Sequence, residues 1–241
     1  MFNKENQTQK IQTNANEAVK SQADESKARE SRTRESRTDE NEAMKSQADE
    51  SKARESQIKG KQKKKADIQK LAVCAMLVAL GTVASFIKLF SFPFGGSITL
   101  FSMLFICLAG YFYGPITGVV TAVVYGLLQF AIEPYVLFPL QVVVDYVLAF
   151  GVMGLSGLAH EKKHGLIKGY IIAIMGRYFF AVLSGWLFFG EYAWEGWNPL
   201  PYSLAYNAAY IFAEAAVTLI ILFIPAVSGL FERTKKSLNK Y

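Results

Sequence analysis

From Asp67 to Leu230 the chain is almost continuously apolar, broken only by short turns into six blocks of roughly 16 to 28 residues. The hydrocarbon core of a bilayer is about 30 Å thick, and an α-helix crosses it with about 20 apolar residues. Inside that core every backbone N–H and C=O has to be bonded within its own segment, which selects helices. The expected fold is therefore an all-α membrane protein with six transmembrane helices, at approximately 67–88, 97–113, 115–132, 139–158, 165–189 and 203–230.

The charged residues divide the chain. Residues 1–66 hold 16 of the 26 Lys/Arg and 12 of the 20 Asp/Glu, with Phe2 as their only aromatic. Asn16–Ser31 (NEAVKSQADESKARES) returns almost unchanged as Asn41–Ser56 (NEAMKSQADESKARES). These repeats have almost no apolar residues with which to stack, and they lack the a/d seam of a coiled coil. The segment reads as a charged, repetitive cytoplasmic tail without fixed structure. Residues 67–230 read as the transmembrane domain and 231–241 as a short basic C-terminus. The formal charge of +6 thus lies in the tail and beside the membrane, which suits contact with the lipid bilayer and not nucleic acid.

Orientation follows from Lys and Arg near the helix ends. Lys59, Lys61, Lys63, Lys64, Lys65 and Lys70 precede or open the first span, Lys162, Lys163 and Lys168 flank the fourth-to-fifth loop, and Arg233, Lys235, Lys236 and Lys240 follow the last span. The opposite loops hold only Lys88, with Glu133, Glu191 and Glu195. Both termini are therefore expected in the cytoplasm. Cys74 and Cys107 fall in different spans and read as small buried hydrophobes.

Charges at membrane depth are site candidates by default. Asp145, Arg177 and Glu214 are the three here. At a rise of about 1.5 Å per residue, Arg177 and Glu214 share a depth of roughly 16–18 Å below the outer ends of their helices. A structural Arg177–Glu214 ion pair across adjacent antiparallel helices is the expectation, since an unpaired charge there is costly. Asp145 lies only about 9 Å down. Near its level are Tyr135, Tyr146, Phe189, Tyr192, Trp194, Trp197, Tyr202 and Asn207. Part of that set, Trp194 and Trp197 above all, fits an interfacial aromatic belt. A belt does not account for a carboxylate among the rings. Aromatic faces around an acid suit a flat, cationic, nitrogen-rich ligand, and point to a small-molecule pocket open to the outside.

Catalytic signatures are missing: no Gly-x-Ser-x-Gly, His-Glu-x-x-His or P-loop occurs, and no nucleophile–base constellation is visible. His160 and His164 have a spacing that suits a metal, but they lie in a loop closed by Gly165 with no carboxylate from an apolar face. Neither a metal nor a cofactor is expected. In the first span, Ala75 and Ala79 form a small-xxx-small face that permits close helix approach.

The segments YGLLQFAIEPYVLFPLQVVVDYVLAFGVMGLSGL (125–158) and GRYFFAVLSGWLFFGEYAWEGWNPLPYSLAYNAAY (176–210) resemble the thiamine-specific substrate-binding subunits (S components) of energy-coupling factor (ECF) transporters. The resemblance spans essentially residues 67–230. It implies a six-helix bundle that captures thiamine from outside and docks on a transmembrane coupling protein with two ATPase subunits. It implies no enzyme activity in this chain, and places it in the cell membrane of a bacterium. Tyr135, Tyr146, Gly185, Tyr202 and Asn207 match the family's ligand pattern in identity and spacing. The family's Glu–Tyr pair is Asp145–Tyr146 here, its His is Ala181, and a Trp at the end of the helix is Phe189. The resemblance also makes Ala75 and Ala79 a docking face for the coupling protein. Phe90, Phe92 and Phe94 are candidates for a lid over the pocket.

These departures leave the ligand open between thiamine, its pyrimidine moiety or an analogue, and another heterocyclic vitamin. The readings from other classes are an intramembrane enzyme using Asp145, Arg177 or Glu214, and an adaptor whose tail does the work.

Overall fold

The computed structural model describes residues 2–93 and 96–239, so Phe94 and Lys240 lie outside the described residues. By its contacts the chain forms two units, Met1–Lys63 and Lys64–Tyr241.

The first unit belongs to one long helix, α1 (Phe2–Phe86). The sequence leads to no fixed structure there, and the backbone is helical. Ala, Glu, Gln, Lys and Arg are strong helix formers, and neither Gly nor Pro occurs before Gly60. Ion pairs one turn apart add to this: Glu30–Arg34 at 2.8 Å, Glu50–Arg54 at 2.8 Å and Glu55–Lys59 at 2.7 Å. Exposed pairs of this kind contribute only about 0.3–0.5 kcal/mol each. Every side chain described between Lys20 and Lys63 is exposed, so no packed face occurs among them.

In the second unit, α1 ends at Phe86 and a hairpin follows. Strand β1 (Lys88–Ser91) pairs antiparallel with β2 (Ser97–Thr99), setting Phe90 opposite Ile98 and Ser91 opposite Ser97. The second expected span, 97–113, is accordingly shortened. Its first residues are strand and turn, and the helix α2 (Ser102–Tyr113) has 12 residues. At about 1.5 Å per residue that is roughly 18 Å, short of a bilayer crossing. The helix is buried almost throughout, with Ile106, Cys107 and Ala109 at 0% exposure.

Four longer helices complete the bundle: α3 (Pro115–Ile132), α4 (Pro139–Ala159), α5 (Gly165–Phe188) and α6 (Pro199–Leu222). With α1, five helices among the described residues are long and apolar enough to span a membrane, and α2 is a sixth, shorter apolar helix. The sixth expected span, 203–230, is cut in two. Pro225 has no N–H to continue the ladder and opens a separate helix, α7 (Pro225–Leu238). It alternates apolar and charged residues, so the basic C-terminus is an amphipathic helix that starts before residue 231. Lys235 fixes it to the bundle. Its ammonium donates to the His160 carbonyl and lies 4.5 Å from the centre of the Tyr111 ring. Burial holds that ammonium below its usual range, against the opposing pull of Glu161 and Glu232.

Small residues let the helices approach. A Cβ on Gly154 would stand 2.1 Å from the backbone nitrogen of Val119, so α3 and α4 meet backbone to backbone. Ser156 donates to the Cys107 carbonyl at 2.7 Å, tying α4 to α2. The outer surface is apolar, with Ile116 at 82%, Ile220 at 68% and Phe179 at 62% exposure. Such side chains face hydrocarbon in a membrane protein, where their exposure has no hydration cost.

Candidate functional site

The fourth expected span, 139–158, is helical but not regular. Residues Val143–Leu148 form a π-helical turn inside α4, and Val152–Ala159 tighten to 3-10 geometry. A π turn adds a residue to the local repeat, and such turns occur often at functional sites. Here it puts the consecutive residues Asp145 and Tyr146 on the wall of one cavity, with Gln141 one turn before and Phe150 one turn after.

That cavity has a volume of about 380 Å³, within the range of small-molecule sites. Tyr135, Asp145, Tyr146, Gly185, Phe189, Tyr202 and Asn207 all line it, as does Ala181. Gln141 positions the acid: its Nε2 donates to Asp145 Oδ2 at 2.7 Å and to the Tyr135 carbonyl at 3.1 Å. Its Oε1 in turn accepts from Leu137 N–H at 2.9 Å, which sets the orientation of the amide. Tyr146 donates to the Glu133 carbonyl at 3.0 Å and accepts from the Tyr135 N–H at 3.1 Å. The same loop is held to the hairpin by Lys88, 2.8 Å from both carboxylate oxygens of Glu133.

Aromatic faces supply much of the wall. Tyr135 stacks on Phe189 with ring centres 5.8 Å apart and planes 17° from parallel. Tyr202, Tyr206 and Tyr210 follow at one-turn spacing along α6, with successive ring centres 5.7 Å apart. Asn207 lies between them, donating to the Ser203 carbonyl at 2.8 Å and accepting from Tyr210 at 2.7 Å. Gly185 permits this arrangement. A Cβ there would stand 2.2 Å from Ser203 Oγ and 3.2 Å from Asn207 Nδ2, so α5 and α6 are close at that level.

The expected Arg177–Glu214 ion pair is not formed, because each group has other partners. Glu214, 3% exposed, accepts from Thr99 N–H (3.0 Å), Thr99 Oγ1 (2.7 Å), Ser102 Oγ (3.3 Å) and Met103 N–H (3.1 Å). Two of those donors open α2, where the helix dipole favours an anion. Arg177 donates to Met153 Sδ at 3.3 Å and places its guanidinium 4.2 Å from the centre of the Phe150 ring. Both residues nevertheless line the cavity.

Other candidates fall outside the cavity or at its edge. Ala75 and Ala79 lie on an exposed stripe of α1. Trp194 and Trp197 are about half exposed and meet edge to face, with Trp194 also against Tyr202. Phe90 and Phe92 pack edge to face on the hairpin, and Phe92 continues onto Tyr206. Tyr206 holds that hairpin, accepting from Gly96 N–H at 3.0 Å and donating to the Pro93 carbonyl. His160 Nδ1 is 2.6 Å from the Gly157 carbonyl, a contact within its own turn.

Sequence reasoning missed Gln141, Ser184, Tyr206 and Tyr210 on the cavity wall. A signal existed for three of them. Gln141 precedes Asp145 by four residues, and Tyr206 and Tyr210 continue the Tyr202 stripe at the same interval. Ser184 had none.

A multi-pass helical bundle with an acid-bearing, aromatic-walled cavity between its helices defines a membrane protein that binds a small molecule. The family model described as thiamine transporter protein (Thia_YuaJ) matches residues 71–231, and the chain belongs to that family. Thiamine transporter ThiT of Bacillus subtilis (strain 168) is 31% identical over 176 residues, which are 65% of this chain and 91% of that protein. Thiamine transporter ThiT of Lacticaseibacillus paracasei is 29% identical over 100 residues, 36% of this chain and 50% of that one. The solved structure of ThiT from Listeria monocytogenes superposes with a TM-score of 0.60 at 27% identity, covering 70% of this chain and 96% of that one. The family is one of transport proteins, not enzymes.

Proposed function

We propose that this chain is the membrane-embedded thiamine-binding subunit of an ECF-type importer, capturing the vitamin from outside the cell. The observation that carries the reading is a cavity of about 380 Å³ with a carboxylate, Asp145, among the rings of Tyr135, Tyr146, Phe189 and Tyr202. Thiamine joins a cationic thiazolium to an aminopyrimidine. Rings stack on such walls, π faces attract the cation, and a carboxylate takes N–H bonds or the positive charge. Membership in a thiamine transporter family supports the ligand.

On this reading the chain lies in the cell membrane of a bacterium with both termini in the cytoplasm, an orientation supported by the placement of its lysines. ATP is hydrolysed by two partner ATPases, and a transmembrane coupling protein docks against the Ala75–Ala79 stripe of α1.

The test is isothermal titration of the purified full-length chain in detergent with thiamine, without partner subunits or ATP. Tight one-to-one binding is expected, and Asp145→Ala is expected to abolish it, followed as quenching of tryptophan fluorescence. Unchanged affinity in the variant removes Asp145 from the site. Titrating the isolated pyrimidine moiety decides between thiamine and a precursor, the alternative kept in play by Asp145, Ala181 and Phe189.

A further inference from the structure

Seven serines and threonines are buried among the described residues: Thr99, Ser102, Thr121, Ser156, Ser184, Ser203 and Thr218. Six have a hydrogen-bond partner. Thr99 and Ser102 serve Glu214, and the hydroxyls of Thr121, Ser156, Ser203 and Thr218 donate to backbone carbonyls at 2.7–2.8 Å. Ser184 has none, although it is 1% exposed. A helical serine ordinarily returns its hydroxyl to the carbonyl one turn back. Leaving a buried hydroxyl unpaired costs about 1–3 kcal/mol, so its partner is to be sought where the hydroxyl lies.

It lies on the wall of the cavity. The hydroxyl stands beside the Asp145 carboxylate, close enough to act on it but outside hydrogen-bond geometry. Asp145 Oδ2 is occupied by Gln141, and Oδ1 has no partner among the described residues. The free oxygen accepts only, whereas the hydroxyl can donate. Side by side they offer an acceptor and a donor. The complement is a ligand edge with an N–H next to a lone pair, which is the amino group and adjacent ring nitrogen of an aminopyrimidine.

We infer that Ser184 is a ligand-binding residue, its hydroxyl donating to the pyrimidine nitrogen next to the amino group while Asp145 accepts from that amino group. This rests on the thiamine-type reading of the cavity and specifies which half of the molecule the acid faces. Ala181, one turn earlier on α5, lines the same wall but brings no polar atom of its own. Ser184 therefore supplies a polar group on this face of α5.

The experiment pairs two proteins with two ligands. The full-length chain and Ser184→Ala, each in detergent, are titrated with thiamine and with the thiamine analogue in which that ring nitrogen is replaced by C–H. One hydrogen bond corresponds to a loss of about threefold to tenfold in affinity, so Ser184→Ala is expected to bind thiamine that much more weakly. The analogue is expected to bind both proteins equally, and the ligand-free melting temperature not to fall, since no protein bond is lost and an unpaired buried hydroxyl is removed. Equal affinity of the two proteins for thiamine overturns the assignment. So does an equal loss for both ligands, which marks a packing role. A wild-type chain silent to thiamine overturns the parent reading together with this one, and is distinguished from those outcomes by the unmutated protein alone.

Discussion

Glu214 and Asp145 line the same cavity, yet Glu214 accepts four hydrogen bonds and Asp145 one. A carboxylate has about four lone-pair sites. Glu214 is thus fully committed to holding the start of α2 and the end of β2 against α6, while Asp145 keeps capacity for a guest. Glu214→Gln replaces one acceptor oxygen by a donor and leaves Thr99 or Met103 N–H without its partner. Bonds to a charged group are worth about 1.5–3 kcal/mol, so a loss of that size is expected in a thermal melt of the ligand-free protein. An unchanged melt refutes the structural assignment. The sequence reveals that Asp145, Arg177 and Glu214 are exceptional, because charge at membrane depth is rare. It does not reveal their partners. Depth follows from counting residues along a helix, whereas partnership depends on rotation about the axis and on Thr99, more than a hundred residues away in sequence.

Helices α5 and α6 meet where Gly185 faces Ser203 and Asn207, and the contact sets one wall of the cavity. Gly185→Ala forces the two helices apart at about 1–3 kcal/mol, the usual cost of overpacking. The nearest atom to the added methyl is Ser203 Oγ. The double variant Gly185→Ala, Ser203→Ala is therefore expected to melt above the single Gly185→Ala variant, although Ser203→Ala alone loses the bond to Val182. Additive destabilisation refutes the close contact. Hydrophobic blocks and prolines made most of these helices readable in advance. The exceptions have physical causes. Pro225 lies within an apolar run, so composition conceals the break that its missing N–H imposes. The β-branched stretch around Asp145 reads as ordinary helix, and nothing in it marks the π turn that brings Asp145 and Tyr146 to one wall. The hairpin replaced the outer part of a span because Ser97–Thr99 find backbone partners in Lys88–Ser91.

At the scale of the whole molecule, the helical bundle and the charged segment before it are separate units. The family match begins at residue 71, and every wall residue of the cavity lies beyond residue 84. Deleting residues 1–58, which leaves the lysine cluster in place, is expected to spare both thiamine binding in detergent and uptake in cells. Loss of both would assign the working surface to the repeats. The apolar exterior shows why so much of this architecture was legible. In lipid the exposed face and the interior are both apolar, so each span appears as an uninterrupted block, whereas polar positions carry the information about site and packing.

Five formally charged side chains line the cavity: Lys88, Glu133, Asp145, Arg177 and Glu214. Counted at formal charge, the acids outnumber the bases by one. A guest with a single positive charge makes the occupied chamber electrically neutral, whereas a neutral or doubly charged one leaves a residual charge. Burying an uncompensated charge in hydrocarbon is expensive. A monocation is thus the guest that leaves the cavity with the smallest formal charge.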